Sequence, residues 1–256
     1  MRFGDFTGLA EKYSKYRPDY SNTVLDAILG TINKKTEDID FVDVGAGTGI
    51  WTNMVYDKRV HSVKAIEPNI DMLTAGKNNS QGKQIEWIRS SAEEINLEND
   101  SVDWVSMASS LHWVNFEKSV KEFNRILRDK GIFTALWNPR LISVNPLLLE
   151  IENYLKFLNP QLKRRSSGNV INKEELTNKL LKSGYFEDVI YIEGRHMIKM
   201  QPDRYLGAWE SVNDIQVQLG EEKFIEFINF IEKKISGLRY IEATYLTRSW
   251  TAKKLT

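Results

Sequence analysis

Short apolar runs rich in β-branched and aromatic residues alternate along the chain with segments whose apolar positions recur every three or four residues. The runs in the first half are FVDVG (41–45), VKAIE (63–67), QIEWIRS (84–90), VDWVSMA (102–108) and GIFTALWN (131–138). Runs of this length, alternating or continuous and bounded by turn residues, predict strands. Helices are predicted over 50–56 behind a glycine bend and over 70–77 behind Pro68-Asn69. A third is predicted over 116–127, where positions 116, 120, 123, 126 and 127 share one face. Strands alternating with helices form βαβ units and a parallel sheet. Right-handed crossovers in such a sheet leave ligand sites at the C-terminal ends of the strands.

Beyond residue 140 the pattern is less regular. Helices are predicted over 146–158, 173–183, 202–217 and 221–235, with a polar, basic loop over 161–169. FEDVIYIEG (186–194) and TYLTRSWTAKK (244–254) supply two more strands, seven in all. The expected fold is α/β: a doubly wound, mostly parallel seven-stranded sheet with helical lid insertions. The expected organisation is an N-terminal helical lid (1–35), a ligand-binding core (36–140), and a remainder (141–256) that completes the sheet. Within that remainder, about 140–175 and 201–240 are read as inserted helices covering a substrate.

Composition narrows the possibilities. A chain of 256 residues buries roughly 70–75% of its unfolded surface, so neither a disulfide nor a metal is needed for folding. The absence of cysteine excludes a disulfide framework, a thiolate zinc site and a cysteine nucleophile, and it fits a reducing compartment. Thirty-five basic residues balance 35 acidic ones, which argues against a nucleic-acid partner. No apolar run reaches the ~20 residues needed to span a bilayer. The opening MRFGDFTGLAEKY lacks the apolar core of a secretory signal. A cytoplasmic monomer that binds a small molecule, with no membrane and no metal, is therefore expected. G-x-S-x-G and H-E-x-x-H are both absent.

The strongest chemical signal is the strand–glycine–helix unit at FVDVGAGTG. Glycines let the backbone turn tightly and approach a ligand, and the following helix presents free N–H groups. The dinucleotide fingerprint is G-x-G-x-x-G, whereas the glycines here fall at 45, 47 and 49. Asp43, two residues before the first glycine, would repel a pyrophosphate and suits an ammonium group, directly or through water. Glu67 ends the second strand, where a carboxylate can accept both hydroxyls of a ribose. Ser91-Ala92-Glu93 follow the third strand, within reach of an adenine edge.

D-V-G-A-G-T-G, the acid in AIEPN and SAEEINL before the fourth strand occur in the order and spacing of the class I S-adenosylmethionine-dependent methyltransferases. The chain resembles that family over roughly 36–140. YSKYRPDY (13–20), SSLHWV (109–114) and SWTAKK (249–254) resemble the subgroup that includes trans-aconitate methyltransferases. The resemblance implies a Rossmann-like fold and S-adenosyl-L-methionine as cofactor. It places Asp43, Gly45, Ala46, Gly47 and Thr48 at the methionine end of the cofactor. Glu67 would hold the ribose, with Pro68, Asn69 and Met72 beside the adenosine. Ala92 and Glu93 would border the adenine, and Ser109 would close the pocket near the sulfonium. Tyr13, Tyr16 and Arg17 would belong to a lid, and Trp113, Trp137 and Arg140 to the substrate side.

Methyl transfer from a sulfonium needs orientation and dehydration more than a reactive side chain. A protonated acceptor needs a base, for which His112 is the candidate; a carboxylate acceptor needs a cation instead, from among Arg17, Arg140, Arg164, Arg165 and Arg195. Four readings follow. They are methylation of a small molecule, such as a carboxylic acid; methylation of a macromolecule; binding of the cofactor without catalysis; and a nicotinamide-dependent oxidoreductase. The glycine spacing and Asp43 disfavour the last.

Overall fold

The computed structural model describes residues 10–163 and 172–255. The loop expected over 161–169 falls largely outside the described residues, as do Arg164 and Arg165. The strands are β1 (Asp40–Val44), β2 (Ser62–Ile66), β3 (Ile85–Ile88), β4 (Val102–Ala108), β5 (Leu127–Trp137), β6 (Phe186–Met200) and β7 (Ile241–Lys254). They form one seven-stranded sheet in the order β3-β2-β1-β4-β5-β7-β6. The first five strands pair in parallel, and β7 runs antiparallel between β5 and β6. The expected α/β sheet is therefore present.

The period-two pattern of the strands divides the core into two layers. Phe41, Trp104 and Ile132 face α2 (Asn22–Leu29) and α3 (Ile50–Tyr56). Their neighbours Val42, Val105 and Phe133 face α5 (Phe116–Ile126) and α7 (Lys173–Lys182). Asparagine starts many of the helices. Asn69 caps α4 (Ile70–Asn79), Asn115 caps α5, Asn145 caps α6 (Pro146–Leu158) and Asn172 caps α7, each side chain accepting from a first-turn N–H.

A third cluster lies beyond the sheet. Only Arg248–Lys253 of β7 pair with β5; Ile241–Thr247 continue against Gly194–Met200 of β6 as a two-stranded arm. The arm rises past the C-terminal end of β5 and carries α6, α8 (Pro202–Glu210) and α9 (Asn213–Ile235), which share a separate apolar core around Trp209, Phe227 and Tyr245. The sequence ended β6 at 194. The strand runs on because GRHMIKM alternates exposed Arg195, Met197 and Lys199 with half-buried Gly194, His196 and Ile198. Charged residues of this kind also protect an exposed edge from pairing with another chain. The helices expected over 202–217 and 221–235 meet differently: α8 stops at Glu210, and α9 is broken internally at Gly220 (φ 74°, ψ 173°).

The segment expected as one lid divides in two. In α1 (Ala10–Tyr16), Ser14 reaches Asn79 of α4, and the Tyr16 ring lies so close to Gly207 of α8 that a Cβ there would fall 2.4 Å from it. By contrast, α2 is core, with Val24, Leu25 and Ile28 buried under the sheet.

The N-terminal edge of the sheet is pinned by charge. Asp103, 5% exposed, accepts from Lys34 Nζ (2.7 Å), Asp40 N (2.9 Å) and Arg128 Nη1 (2.9 Å). Replacing it strands these donors. We expect Asp103→Ala to lower unfolding free energy by about 2 kcal/mol. Urea denaturation measures this, and ligand affinity at the opposite sheet edge should stay unchanged.

Candidate functional site

The bend after β1 is fixed from both sides. Gly45 N and Ala46 N both donate to Ile66 O at the end of β2 (2.8 and 3.0 Å). Gly45 takes φ 67°, and a Cβ on it would lie 2.7 Å from Ser110 Cβ, so the bend accepts no side chain here. Gly47, at φ 58°, differs: a Cβ would meet no atom within 4 Å, because the space beside it is an open cleft.

Glu67 closes the bend from below, 6% exposed. Its Oε2 accepts from Gly47 N (2.8 Å) and its Oε1 from Asn69 N (2.9 Å). Burial pushes its pKa above the usual range, and the two N–H donors oppose that rise. Each oxygen retains a lone pair, which suits the two neighbouring hydroxyls of a ribose. The cleft, about 300 Å³, is also lined by Ala46, Thr48, Pro68, Met72, Ala92 and Glu93. Thr48 Oγ1 is buried there without a partner among the described residues, a donor–acceptor left for a ligand. Asn79 Nδ2, at the end of α4, donates both to Thr48 O (2.9 Å) and to Ser14 Oγ of α1 (2.6 Å), joining the bend to its roof.

Asp43 stands elsewhere than the sequence suggested. It is fully buried beneath the bend and is not part of the cleft wall. Thr52 Oγ1 (2.6 Å) and Ser106 Oγ (3.0 Å) donate to it. Burial pushes its pKa up to about 7 against these bonds. Its place is under the loop, as a support, and direct contact with an ammonium is corrected accordingly.

A second cavity of about 80 Å³ adjoins the first, walled by Arg17, Asn138, Pro139, Arg140, Tyr245 and the buried acid Asp214. The two share Tyr13, Tyr20, Ile50, Ser109 and Trp113. The Arg17 guanidinium lies 4.8 Å over the Tyr13 ring and donates through Nη2 to Ser211 O (3.1 Å). The Arg140 guanidinium lies 3.9 Å over Trp209. In both arginines Nε is buried with no hydrogen-bond partner among the described residues, and so is the Tyr245 hydroxyl. Arg195 lies exposed on β6, away from both cavities.

Three further expectations change. His112 borders neither cavity, and its Nδ1 accepts from Trp137 Nε1 (3.3 Å), which leaves its proton on Nε2. Burial lowers its pKa to about 4, partly opposed by Asp214. With its free lone pair committed to an indole N–H, it is no base for an acceptor. Trp137 is core, packed edge-on to Trp250 at 5.7 Å, because the end of β5 turns it inward. Tyr16 anchors α1 on Gly207 and lines neither cavity.

Tyr20 is the residue the sequence reading passed over. Its hydroxyl lies 2.9 Å from Ser109 Oγ, and its ring meets Trp51 edge-on at 5.4 Å. The signal was present in YSKYRPDY: Pro18 ends the helix, and the last tyrosine then turns inward. Ser109 itself sits at φ 58°, a conformation costing a non-glycine residue about 1 kcal/mol or more.

This strand order, the glycine bend after β1 and the carboxylate at the end of β2 define a Rossmann-like domain built to hold a nucleoside cofactor. Residues 42–135 match the family model described as a methyltransferase domain. An uncharacterized methyltransferase of Mycobacterium tuberculosis is 31% identical over 140 residues, 55% of this chain and 53% of that protein. The chain thus spans about half the length of the first curated relatives it matches. One of Schizosaccharomyces pombe is 22% identical over 95% of this chain and 94% of its own. Among solved structures, phosphoethanolamine N-methyltransferase 2 of Haemonchus contortus, in complex with S-adenosyl-L-methionine, shares the fold. Its TM-score is 0.56 at 14% identity, covering 100% of this chain and 60% of that one.

Two outcomes test the geometry. Glu67→Gln turns one N–H acceptor into a donor facing a donor; S-adenosylmethionine affinity should fall by about 1–3 kcal/mol, read by calorimetry. His112 should titrate near pH 4 by imidazole NMR. Its folded pKa lies below the ordinary 6.5, so the unfolded chain binds the extra proton between those values. Stability should therefore fall as pH drops through that window, and less so in His112→Asn.

Proposed function

We propose that the protein is an S-adenosylmethionine-dependent methyltransferase whose acceptor is a small carboxylic acid. The observation that carries the reading is the pair of joined cavities, one suited to a nucleoside and the other lined by two arginines with unpartnered Nε–H groups, which outnumber the one acid there, Asp214. The cofactor fits the first: Gly47 leaves room, Thr48 offers an unpaired hydroxyl, and Glu67 offers two lone pairs. A pyrophosphate would lie beside two carboxyl groups, Glu67 in the wall and Asp43 below it, which disfavours a dinucleotide.

When bound, the cofactor supplies an activated methyl group. The protein's residues do the rest. Arg17 and Arg140 pair with the acceptor's carboxylate, and α1, α8 and α9 shield it from water. The acceptor oxygen forms the new bond to carbon while the carbon–sulfur electron pair stays on sulfur. An ionised carboxylate has no proton to lose, in keeping with a neutral His112 turned aside. The small volume of the second cavity favours a small acceptor over a macromolecule. No helix among the described residues is long and apolar enough to cross a membrane.

Calorimetry with S-adenosylmethionine and with NAD should show binding of the first alone; the reverse would overturn the reading. Labelled cofactor should release S-adenosylhomocysteine with carboxylic acids and not with phenols or amines. Arg140→Gln should raise the acceptor KM roughly tenfold, the loss of one charge-assisted bond, with cofactor affinity unchanged.

A further inference from the structure

β6 is the outermost strand of the sheet, and among the described residues its far edge pairs with no other strand. A long open edge invites another chain, and its charges decide which one it accepts. After a register shift between Glu187 and Ile190, the strand pairs regularly with β7 as far as Met200. Along that stretch Glu193, Arg195, Met197 and Lys199 are exposed at alternate positions, so one face presents an acid, a base, an apolar group and a base in turn. Lys199 is answered within the molecule, 4.0 Å from Glu242. Among the described residues neither Arg195 nor Glu193 has an ion pair; Glu193 accepts from the neutral Tyr191 hydroxyl (2.5 Å). Two large apolar side chains of the same strand, Ile190 and Met197, stand about half exposed at 45% and 52%.

We propose that β6 pairs antiparallel with β6 of a second copy of this chain, about a two-fold axis at Gly194, so that two sheets become one. An axis perpendicular to the sheet keeps opposed side chains on one face, which leaves only registers centred on a residue. Centres at Glu193 or Arg195 set like charges against each other. A centre at Ile192 leaves both charges without a counter-charge. A centre at His196 brings Glu193 to Lys199, which Glu242 already holds, and leaves Ile190 uncovered. The centre at Gly194 sets Glu193 of each copy against Arg195 of the other, Tyr191 against Met197, and Ile190 against Ile198. Both unanswered charges and both exposed apolar side chains are matched in this register. Charges that reject an arbitrary strand thus select one. The bare residue at the axis fits as well: a Cβ on Gly194 would fall 2.8 Å from Val24 Cγ2, so α2 lies directly over the strand there. α2 turns Thr23 and Ala27, one helical turn apart, to solvent, and side chains this small let two such helices lie close across the axis.

Sedimentation velocity of the full chain tests this. Across ~1–100 µM, a range suited to a small, reversible interface, the mean mass should rise from monomer toward dimer. Arg195→Glu and Glu193→Arg each place like charges opposite one another on both sides of the axis, and each alone should weaken association about tenfold. Both positions are exposed, so both variants should fold, which circular dichroism checks. Mixed in equal amounts, the two variants should form a heterodimer within about threefold of wild-type affinity, because every acid again meets a base. Loss of fold in either variant could not be rescued in this way. A wild type that stays monomeric throughout overturns the inference, and so does a mixture that fails to associate. A dimer that persists in both variants places the contact elsewhere, as on the exposed Phe157 of the cap, and overturns it too. None of these outcomes bears on the proposed function, which rests on the two cavities.

Discussion

Everything at the ligand edge depends on how one carboxylate is held. Glu67 ends β2 nearly out of reach of water, yet its two oxygens are met by the N–H groups of Gly47 and Asn69. Those two donors belong to the bend after β1 and to the start of α4. A buried carboxylate without them would be too costly to keep, and with them it fixes two loops relative to each other. The bend then has one geometry, Gly45 must be bare to clear Ser110, and Gly47 faces empty space. Asp43 supports the same bend from beneath through Thr52 and Ser106. The acidic pair thus shapes the loop first, and only Glu67 presents itself to a ligand.

The second dependency is vertical. The β6–β7 arm carries three helices above the strand ends, and the chain leaving β5 follows it, with Leu141 N bonded to Thr244 O and Leu246 N to Pro139 O. Arg140 is placed by that ladder, opposite Tyr245. Arg17 reaches the same cavity from the N-terminal side, beyond α1. The second cavity is therefore assembled from segments more than a hundred residues apart, with Tyr245 also part of the core of the cap.

Most of the sheet was legible in the sequence because its central strands β1, β4 and β5 are largely buried on both faces and bounded by turn residues. β4 and α3 begin and end where the pattern says. The lining of the larger cleft was legible for a related reason: Gly47, Thr48, Glu67, Met72, Ala92 and Glu93 sit at fixed offsets from strand ends. The second cavity was not. Arg140 and Arg17 looked no different from Arg195, since a cation's burial is set by packing partners distant in sequence. His112 and Trp137 misled for a similar reason, being adjacent to the mouth in sequence while their rings pair with each other inside. Tyr20 escaped notice because Pro18 marks only where the chain turns, while the partner, Ser109, lies 89 positions away.

The arm also acts as a ruler. Side chains along it alternate, and Ile241, Ala243 and Tyr245 face the cap's interior. A single inserted residue would turn all of them to the wrong side, whereas a matched pair in each strand would preserve the facing and lift the roof by about 7 Å. Room for a bulkier guest can thus be gained only in discrete increments, while the floor that grips the nucleoside stays untouched.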